Sequence, residues 1–163
     1  MPLINTIRRA GSSPCLRARS LTLALACLGG MLALQAQAQG DPLASAAAEK
    51  GAVVTSSGLV YRALKEGAGA APAATDTVRV HYRGTFADGR EFDSSHARGQ
   101  PASFPLNRVI PCWTEGVQRM KVGGKAKLTC PAAIAYGSRG AGGAVPPDAI
   151  LLFEVELLGV NGK

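Results

Sequence analysis

Residues 77–95 read TVRVHYRGTFADGREFDSS, and this stretch decides the fold that the sequence predicts. Apolar and polar side chains alternate over residues 77–86, a pattern typical of a strand with one buried face. Asp88 and Gly89 follow, and an Asp-Gly pair favours a tight turn because glycine readily adopts positive φ. Residues 91–95 then return as a second strand. The stretch therefore predicts a β-hairpin with one face in the core.

The rest of the chain predicts more strands and a single helix. Strands are predicted at residues 59–64, 125–130 and 149–158, and a short extended piece at residues 103–106. A two-turn helix is predicted at residues 113–120. Gly123-Gly124 is expected to end the helix. The last strand has proline only before it, which favours a central position in the sheet. Because a sheet must bury one face, the short helix is its natural cover, and the predicted fold class is α+β.

The first 38 residues carry the three parts of a secretory signal peptide. Residues 1–19 contain four arginines and no acid, residues 21–34 are an apolar run of fourteen, and Ala36-Gln37-Ala38 is a small-x-small cleavage pattern. One alternative is an uncleaved membrane anchor, but a bilayer-spanning helix needs about 20 residues and the apolar run has fourteen. The other alternative is a lipoprotein attached at Cys27. We therefore expect cleavage near Ala38, a periplasmic or secreted location, and a mature form that does not span the membrane.

After cleavage the chain is expected to hold one domain. Residues 39–57 are small and Ala-rich and are expected to form a short linker before a domain at residues 58–163. The chain has 18 basic and 11 acidic residues; four of the basic and none of the acidic ones lie in residues 1–38, which leaves a charge of +3. No block of Lys or Arg remains, so no binding of nucleic acid is expected.

Two cysteines follow the predicted cleavage site. Cys112 and Cys130 form an even pair in a chain expected to be exported, where disulfides persist, so a disulfide between them is predicted. A metal site and a pair of free, buried thiols are the alternatives. The metal site is the weaker of these, because the cysteines and His81 and His96 show no spacing typical of metal ligands.

The sequence lacks the common motifs of cofactor-binding and hydrolytic sites. It has no Gly-x-x-x-x-Gly-Lys-Ser/Thr, no Gly-x-Ser-x-Gly and no His-Glu-x-x-His, so neither a cofactor nor a metal is expected. His81 lies on the polar side of its strand and is expected to be solvated. Glu91 and Asp93 share a strand face, where one exposed carboxylate and one bonded to local backbone are expected, rather than a glycosidase pair.

Six of the eight aromatic residues are spread over the predicted sheet and helix. They are Tyr82, Phe92, Phe104, Trp113, Tyr136 and Phe153. Ordinary core packing explains such a set, since aromatic residues dominate most cores. A ligand pocket is the alternative, because two of the six bring hydroxyls that need partners and Asp93 directly follows one of the rings.

The sequence resembles the FKBP-type peptidyl-prolyl cis-trans isomerases over about residues 58–160. The fragments that carry the resemblance, in order, are VHYRG (80–84), DGREFDSS (88–95), VIPCWTEG (109–116), AYG (135–137), VPP (145–147) and LFEVELL (152–158). Their order and spacing are specific to the family. The bacterial exported branch, which includes the macrophage-infectivity-potentiator-like members, is the most similar.

The resemblance implies a twisted antiparallel β-sheet wrapped around one short α-helix, with a pocket between them. It also implies rotamase activity on Xaa–Pro bonds without a cofactor. Trp113 resembles the pocket floor, and the residues that resemble its walls are Tyr82, Phe92, Val109, Ile110, Tyr136 and Phe153. Asp93 resembles the family's buried carboxylate, Arg98 a residue that holds it, and Val145 an apolar residue of the flap. The implied partners are proline-containing polypeptide clients and macrolide inhibitors of the tacrolimus or rapamycin type.

Several positions depart from the family pattern. Ala102 stands where many members place a phenylalanine on the pocket rim, and Ala141 and Ala144 are smaller than common flap residues. We expect a wider, less apolar mouth, which makes a binding module with weak turnover the alternative function. Cys112 stands where the family often has glycine, and a bridge to Cys130 is expected to stiffen the pocket floor.

The larger exported members carry a helical dimerisation arm before the catalytic domain. Residues 39–57 are too short for such an arm, so the sequence predicts a monomer.

Overall fold

A computed structural model describes residues 40–161 of the chain. The predicted signal peptide at residues 1–38 lies outside these residues. In the part that the structure describes, no helix combines the length and the hydropathy needed to cross a bilayer.

The described residues form two α-helices, seven strands and three short 3-10 helices. In chain order the α-helices and strands are α1 (Pro42–Ala47), β1 (Ala52–Val54), β2 (Val60–Lys65), β3 (Thr77–Phe86), β4 (Glu91–Ser94), β5 (Ala102–Pro105), α2 (Pro111–Gln118), β6 (Lys125–Cys130) and β7 (Leu151–Asn161). The 3-10 helices are Leu106–Arg108, Ala132–Ile134 and Gly137–Arg139.

All seven strands belong to one antiparallel sheet. Its order is β1-β2-β6-β7-β3-β4, and β5 also pairs with β3. The predicted fold class, an α+β fold with an antiparallel sheet and one main short helix, is confirmed. The prediction that the last strand is central is also confirmed, since β7 lies between β6 and β3.

The sheet buries one face against α2. Side chains of β3 alternate between buried and exposed as the sequence predicts, with Val78, Val80 and Tyr82 in the core. Helix α2 adds Cys112, Trp113 and Val117 to that core. It approaches the sheet closely at Gly116, where a Cβ atom would lie 2.7 Å from a side-chain carbon of Leu128 on β6. The helix and the sheet therefore share one core.

Two expectations about the elements are wrong. The stretch 39–57 is not an unstructured linker: it contains α1 and β1, and β1 pairs with β2 from Ala52 to Val54. Glu49 pairs with Arg62 on β2 and also with Lys127 on β6, which holds the segment to the sheet. Pairing with β2 and the ion pairs of Glu49 hold this segment, and its own composition gives no sign of them.

The second correction concerns α2. The helix begins two residues earlier than predicted, at Pro111, because proline suits the first helical position. It ends at Gln118 rather than at Gly123-Gly124. Gly123 instead has a positive φ of 87° in the turn that leads to β6, and its N–H donates to the Leu157 carbonyl.

Candidate functional site

Two strands, β4 and β5, pair with the same edge of β3, and Tyr82 lies between the two paired regions. Strand β4 pairs with the C-terminal part of β3, and β5 with its N-terminal part. Between them Ser95 takes the place of a ladder partner: its N–H donates to the Tyr82 carbonyl, and its hydroxyl accepts from the Tyr82 N–H at 2.8 Å. The backbone of Tyr82 is thereby fixed, with its ring on the buried face.

A cavity of about 470 Å³ opens between the sheet and α2. Its lining residues are Tyr82, Phe92, Asp93, Phe104, Arg108, Val109, Ile110, Trp113, Tyr136 and Phe153. They come from β3, β4, β5, β7, α2 and the segments that precede α2 and follow β6. Apolar walls with a few polar groups at this volume are typical of small-ligand sites.

Trp113 lies at the centre of the aromatic side chains. Three rings meet the indole edge-to-face, at centroid distances of 5.2 Å for Tyr82, 5.6 Å for Phe104 and 5.4 Å for Phe153. Phe92 extends the wall by a similar contact with Phe153 at 5.6 Å. Edge-to-face pairs are the preferred arrangement of aromatic rings, so these contacts hold one another in place.

Glycine on β3 makes room for this wall. A Cβ atom on Gly84 would lie 2.7 Å from Phe92 Cζ and 3.0 Å from Phe153 Cε1. Both distances are shorter than ordinary van der Waals contact. Gly84 therefore lets the two rings pack directly over the backbone of β3.

Asp93, Tyr82 and Arg98 form a polar cluster at the pocket. The Tyr82 hydroxyl donates to Asp93 Oδ2, Arg98 Nη1 donates to Asp93 Oδ1 at 2.5 Å, and Arg98 Nη2 donates to the Tyr82 hydroxyl at 2.8 Å. Burial raises the pKa of Asp93, but hydrogen bonds from Tyr82 and Arg98 outweigh burial and leave that pKa below its ordinary value. Burial, followed by the hydrogen bond to Asp93, raises the pKa of Tyr82. Asp93 is therefore a carboxylate and Tyr82 a neutral phenol at neutral pH.

The structure brings most of the predicted site residues together. Eight of the ten line the cavity, and the exceptions are Arg98 and Val145. Arg98 contacts Asp93 and Tyr82 from the outside, as the resemblance implied. Val145 is buried in the core cluster, and its backbone pairs with Ala141 to close the loop between them.

Sequence reasoning did not include two of the lining residues in the site. Phe104 is one of the six aromatic residues of the predicted sheet and helix but is not among the predicted site residues, whereas its ring contacts both Tyr82 and Trp113. On β5 it supplies the aromatic surface expected to be missing at Ala102, two residues earlier on the same face. Arg108 is not among the predicted site residues, although its position directly before the family-like fragment VIPCWTEG is a signal in the sequence.

A disulfide joins Cys112 and Cys130, as predicted from the cysteine count. Their Cα atoms are 5.9 Å apart, and both side chains are fully buried. The bond links the first turn of α2, one residue before Trp113, to the end of β6. It therefore connects the pocket floor to the sheet.

His81 differs from the expectation of a solvated side chain. It is half-buried, its Nδ1 lies 3.0 Å from Ser95 Oγ, and its ring stacks on His96 at 4.6 Å. Within residues 40–161, no cluster of three or more His, Cys, Asp or Glu side chains is arranged to hold a metal ion.

Glu91 and Asp93 do not act as a pair. Glu91 forms an exposed ion pair with Arg83 at 2.7 Å. Asp93 accepts hydrogen bonds from the Tyr82 and Arg98 side chains and, as expected, from local backbone, at Ser94. Each carboxylate therefore has its own partner.

Comparison with known proteins supports the resemblance. The profile of the FKBP-type peptidyl-prolyl cis-trans isomerase family matches residues 69–158. The chain is 54% identical over 130 residues to the FKBP-type peptidyl-prolyl cis-trans isomerase FkpA of Aeromonas hydrophila, covering 79% of this chain and 48% of that protein. It is 44% identical over 126 residues to the outer membrane protein MIP of Legionella longbeachae, covering 77% of this chain and 54% of that protein. The chain thus spans about half the length of these relatives.

Solved structures of the same family have a similar fold. The crystal structure of FkpA from Escherichia coli superposes with a TM-score of 0.71 at 50% sequence identity, covering 72% of this chain and 55% of that one. The predicted similarity to bacterial FKBP-type and macrophage-infectivity-potentiator-like proteins is confirmed.

Proposed function

The chain belongs to the FKBP-type peptidyl-prolyl cis-trans isomerase family, and we propose that its aromatic pocket accelerates rotation about Xaa–Pro bonds. The observation that carries the proposal is the set of three rings packed edge-to-face around Trp113, with the Asp93 cluster beside them. A proline ring is apolar and flat enough to lie on the indole, and the amide next to it would then leave water.

The mechanism follows from the nature of the barrier. Rotation about an Xaa–Pro bond costs about 18–20 kcal/mol because the twisted amide loses resonance, whereas cis and trans differ by only about 0.5–1 kcal/mol. The planar amide is the more charge-separated state. A dry aromatic pocket solvates the planar amide less well than the twisted one, and this difference lowers the barrier. Catalysis requires that the pocket bind the twisted form more tightly than either planar form.

Two groups are placed to position the amide. Ile110 lines the pocket, and its carbonyl accepts the first bonds of α2 from Trp113 and Thr114, which holds this residue at the helix start. Its N–H is a candidate donor to the substrate carbonyl. The Tyr136 hydroxyl is a second candidate, since this side chain lines the pocket and is 39% exposed. Neither role requires a nucleophile.

The Asp93 cluster has a supporting role in this proposal. The carboxylate fixes the Tyr82 hydroxyl, and the Tyr82 ring contacts Trp113 edge-to-face. Because Arg98 compensates the charge of Asp93, the carboxylate does not present an unpaired negative charge to the bound proline.

The decisive experiment is the cis-to-trans conversion of a proline tetrapeptide by the purified protein, beside Phe153→Ala and Asp93→Ala. We expect catalysis by the wild type and a loss of about ten-fold or more in kcat/KM in Phe153→Ala, which corresponds to about 1.4 kcal/mol. Tyr61→Ala is the matched control, because Tyr61 is an aromatic residue of β2 that does not line the pocket. A folded wild type that binds the peptide without accelerating its isomerisation would contradict the proposal and indicate the binding module.

We further propose that the protein is exported, acts on polypeptides that fold outside the cytoplasm, and binds tacrolimus-type macrolides in the same pocket. The signal-like sequence of residues 1–38 supports export. The buried disulfide is consistent with an oxidising compartment. Mass spectrometry of the protein from the periplasm should find an N-terminus directly after residue 38, and an intact N-terminus would contradict cleavage there. The monomeric state stays a prediction.

A further inference from the structure

Arg108 is a charged residue of the pocket that the isomerisation mechanism does not use. It ends the 3-10 helix Leu106–Arg108, is exposed, and lines the cavity. Within residues 40–161, no acidic side chain lies within ion-pair distance of its guanidinium. A charged side chain without an acidic partner at the mouth of a binding site is available to a ligand.

The balance of charge at the pocket is positive. Asp93 and Arg108 are the charged residues of the lining. Asp93 is paired with Arg98, which lies outside the cavity and compensates its charge. Arg108 therefore contributes an uncompensated positive charge, which attracts acidic groups and repels basic ones.

The backbone places Arg108 beside the group that would hold the substrate amide. Val109 is extended, with φ −105° and ψ 174°, and Ile110 follows with φ −60° and ψ 147°. Along such a segment two residues span about 6–7 Å. If the Ile110 N–H holds the carbonyl next to the rotating bond, the Arg108 backbone lies about two extended residues away. The Arg108 side chain lines the same cavity, which brings the residues next to the proline within its reach.

From this arrangement we infer that Arg108 is a specificity-determining residue, which selects clients that carry an acidic residue next to the proline. The inference rests on the proposed function and names a substrate class for the same pocket. The charge interaction is the same for the cis, trans and twisted forms of the bound peptide. It therefore strengthens binding uniformly and is expected to lower KM with little change in kcat.

The test is a series of tetrapeptides that differ only beside the proline. Glu, Gln and Lys are compared in the position before proline, and Glu and Gln in the position after it, because Glu and Gln are nearly equal in size and differ in charge. For an exposed ion pair we expect kcat/KM for the preferred Glu peptide to exceed that for its Gln counterpart about two- to five-fold at low salt. The ratio should approach one as added salt screens the charges.

Variants of the chain distinguish an effect of Arg108 on substrate preference from an effect of the protein's overall charge. In Arg108→Gln the Glu/Gln ratio should fall to about one, and in Arg108→Glu the Lys peptide should become the better substrate. Arg79→Gln is the matched control: it removes the same charge from an exposed position of β3 that does not line the pocket, and it should keep the wild-type ratio.

Binding is measured in parallel, so that the two proposals can fail separately. Trp113 is the sole tryptophan of the chain and lies in the pocket, so its fluorescence reports peptide binding without turnover. If no peptide is isomerised but Glu peptides bind more tightly through Arg108, the proposed function fails and the inference stands. Equal binding and equal kcat/KM for Glu and Gln at both positions would overturn the inference. A preference that persists in Arg108→Gln would overturn it as well.

Discussion

At the scale of single residues, the ionisation of Asp93 is coupled to the stability of the fold. Its pKa lies below the ordinary value of 3.8 in the folded protein, since hydrogen bonds from Tyr82 and Arg98 outweigh burial. The unfolded chain therefore takes up this proton at a higher pH than the folded chain. The stabilisation by Asp93 is present above the ordinary pKa and is lost as the pH falls through the folded pKa.

We expect Asp93→Asn to lower the free energy of unfolding by about 1 kcal/mol at neutral pH, a value kept small because the Arg98 and Asp93 side chains are 46% and 43% exposed. The difference from the wild type should shrink as the pH falls below the ordinary value of 3.8. Urea denaturation at several pH values measures this difference in the free energy of unfolding. Asp148→Asn, at an exposed position with positive φ where asparagine is tolerated, is the control. A difference that is independent of pH would contradict the coupling.

Gly84 is the second residue whose role can be isolated. Alanine there would place a Cβ atom against the Phe92 and Phe153 rings, at 2.7 and 3.0 Å, so one or both rings must move. We expect Gly84→Ala to cost about 1–3 kcal/mol of stability and to weaken catalysis, because a wall of the pocket is displaced. Gly159→Ala is the matched control, since it also lies in a strand and its Cβ would contact nothing within 4 Å. Equal effects of the two substitutions on kcat/KM would show that Gly84 has no special role.

At the scale of elements, the disulfide decides how firmly α2 is held to the sheet. Cys112 and Cys130 are 18 residues apart in sequence, and closing a loop of about that length is worth roughly 3 kcal/mol in the chain-entropy description. For a domain of this size we expect reduction to lower Tm by roughly 10 °C. Calorimetry with and without reductant measures the change.

The double variant Cys112→Ala with Cys130→Ala is the control for the reductant. It should unfold near the temperature of the reduced wild type and should not respond to reductant. An unchanged Tm on reduction of the wild type would show that the bond does not stabilise the link between α2 and β6.

The elements also show what a sequence pattern can and cannot predict. Strand β3 was predictable because its alternation and the Asp-Gly turn are local signals, and they agree with its buried face. Helix α1 and strand β1 were not, because Glu49 holds that segment through Arg62 on the next strand and through Lys127 on β6, 78 residues along the chain. The hydrogen bond from Lys127 is the largest reason why the pKa of Glu49 is lowered. Such contacts appear only once the sheet order is known.

The prediction of the site shows the same contrast between local sequence signals and contacts that depend on the assembled fold. The family-like fragments located eight of the lining residues, since five of the six fragments contribute to the wall or the floor of the shared pocket. The sequence could not decide whether the aromatic residues form a core or a cavity, because that depends on how far α2 lies from the sheet. It also could not show that Arg98 compensates Asp93 while Arg108 has no acidic partner among residues 40–161, since both are properties of the assembled surface.

At the scale of the whole molecule, occupation of the pocket should stabilise the entire fold. The lining residues come from four strands, α2 and two connecting segments, so the site does not exist in the unfolded chain. A ligand that binds only the folded state, at a concentration one hundred times its Kd, stabilises by about 2.7 kcal/mol. For a tacrolimus-type macrolide we therefore expect Tm to rise by roughly 10 °C. In Phe153→Ala the same ligand concentration should raise Tm much less, because a wall of the site is removed, whereas Tyr61→Ala should keep the full increase. Thermal unfolding at a series of ligand concentrations measures these shifts, and an equal rise in Phe153→Ala and the wild type would place the ligand outside this pocket.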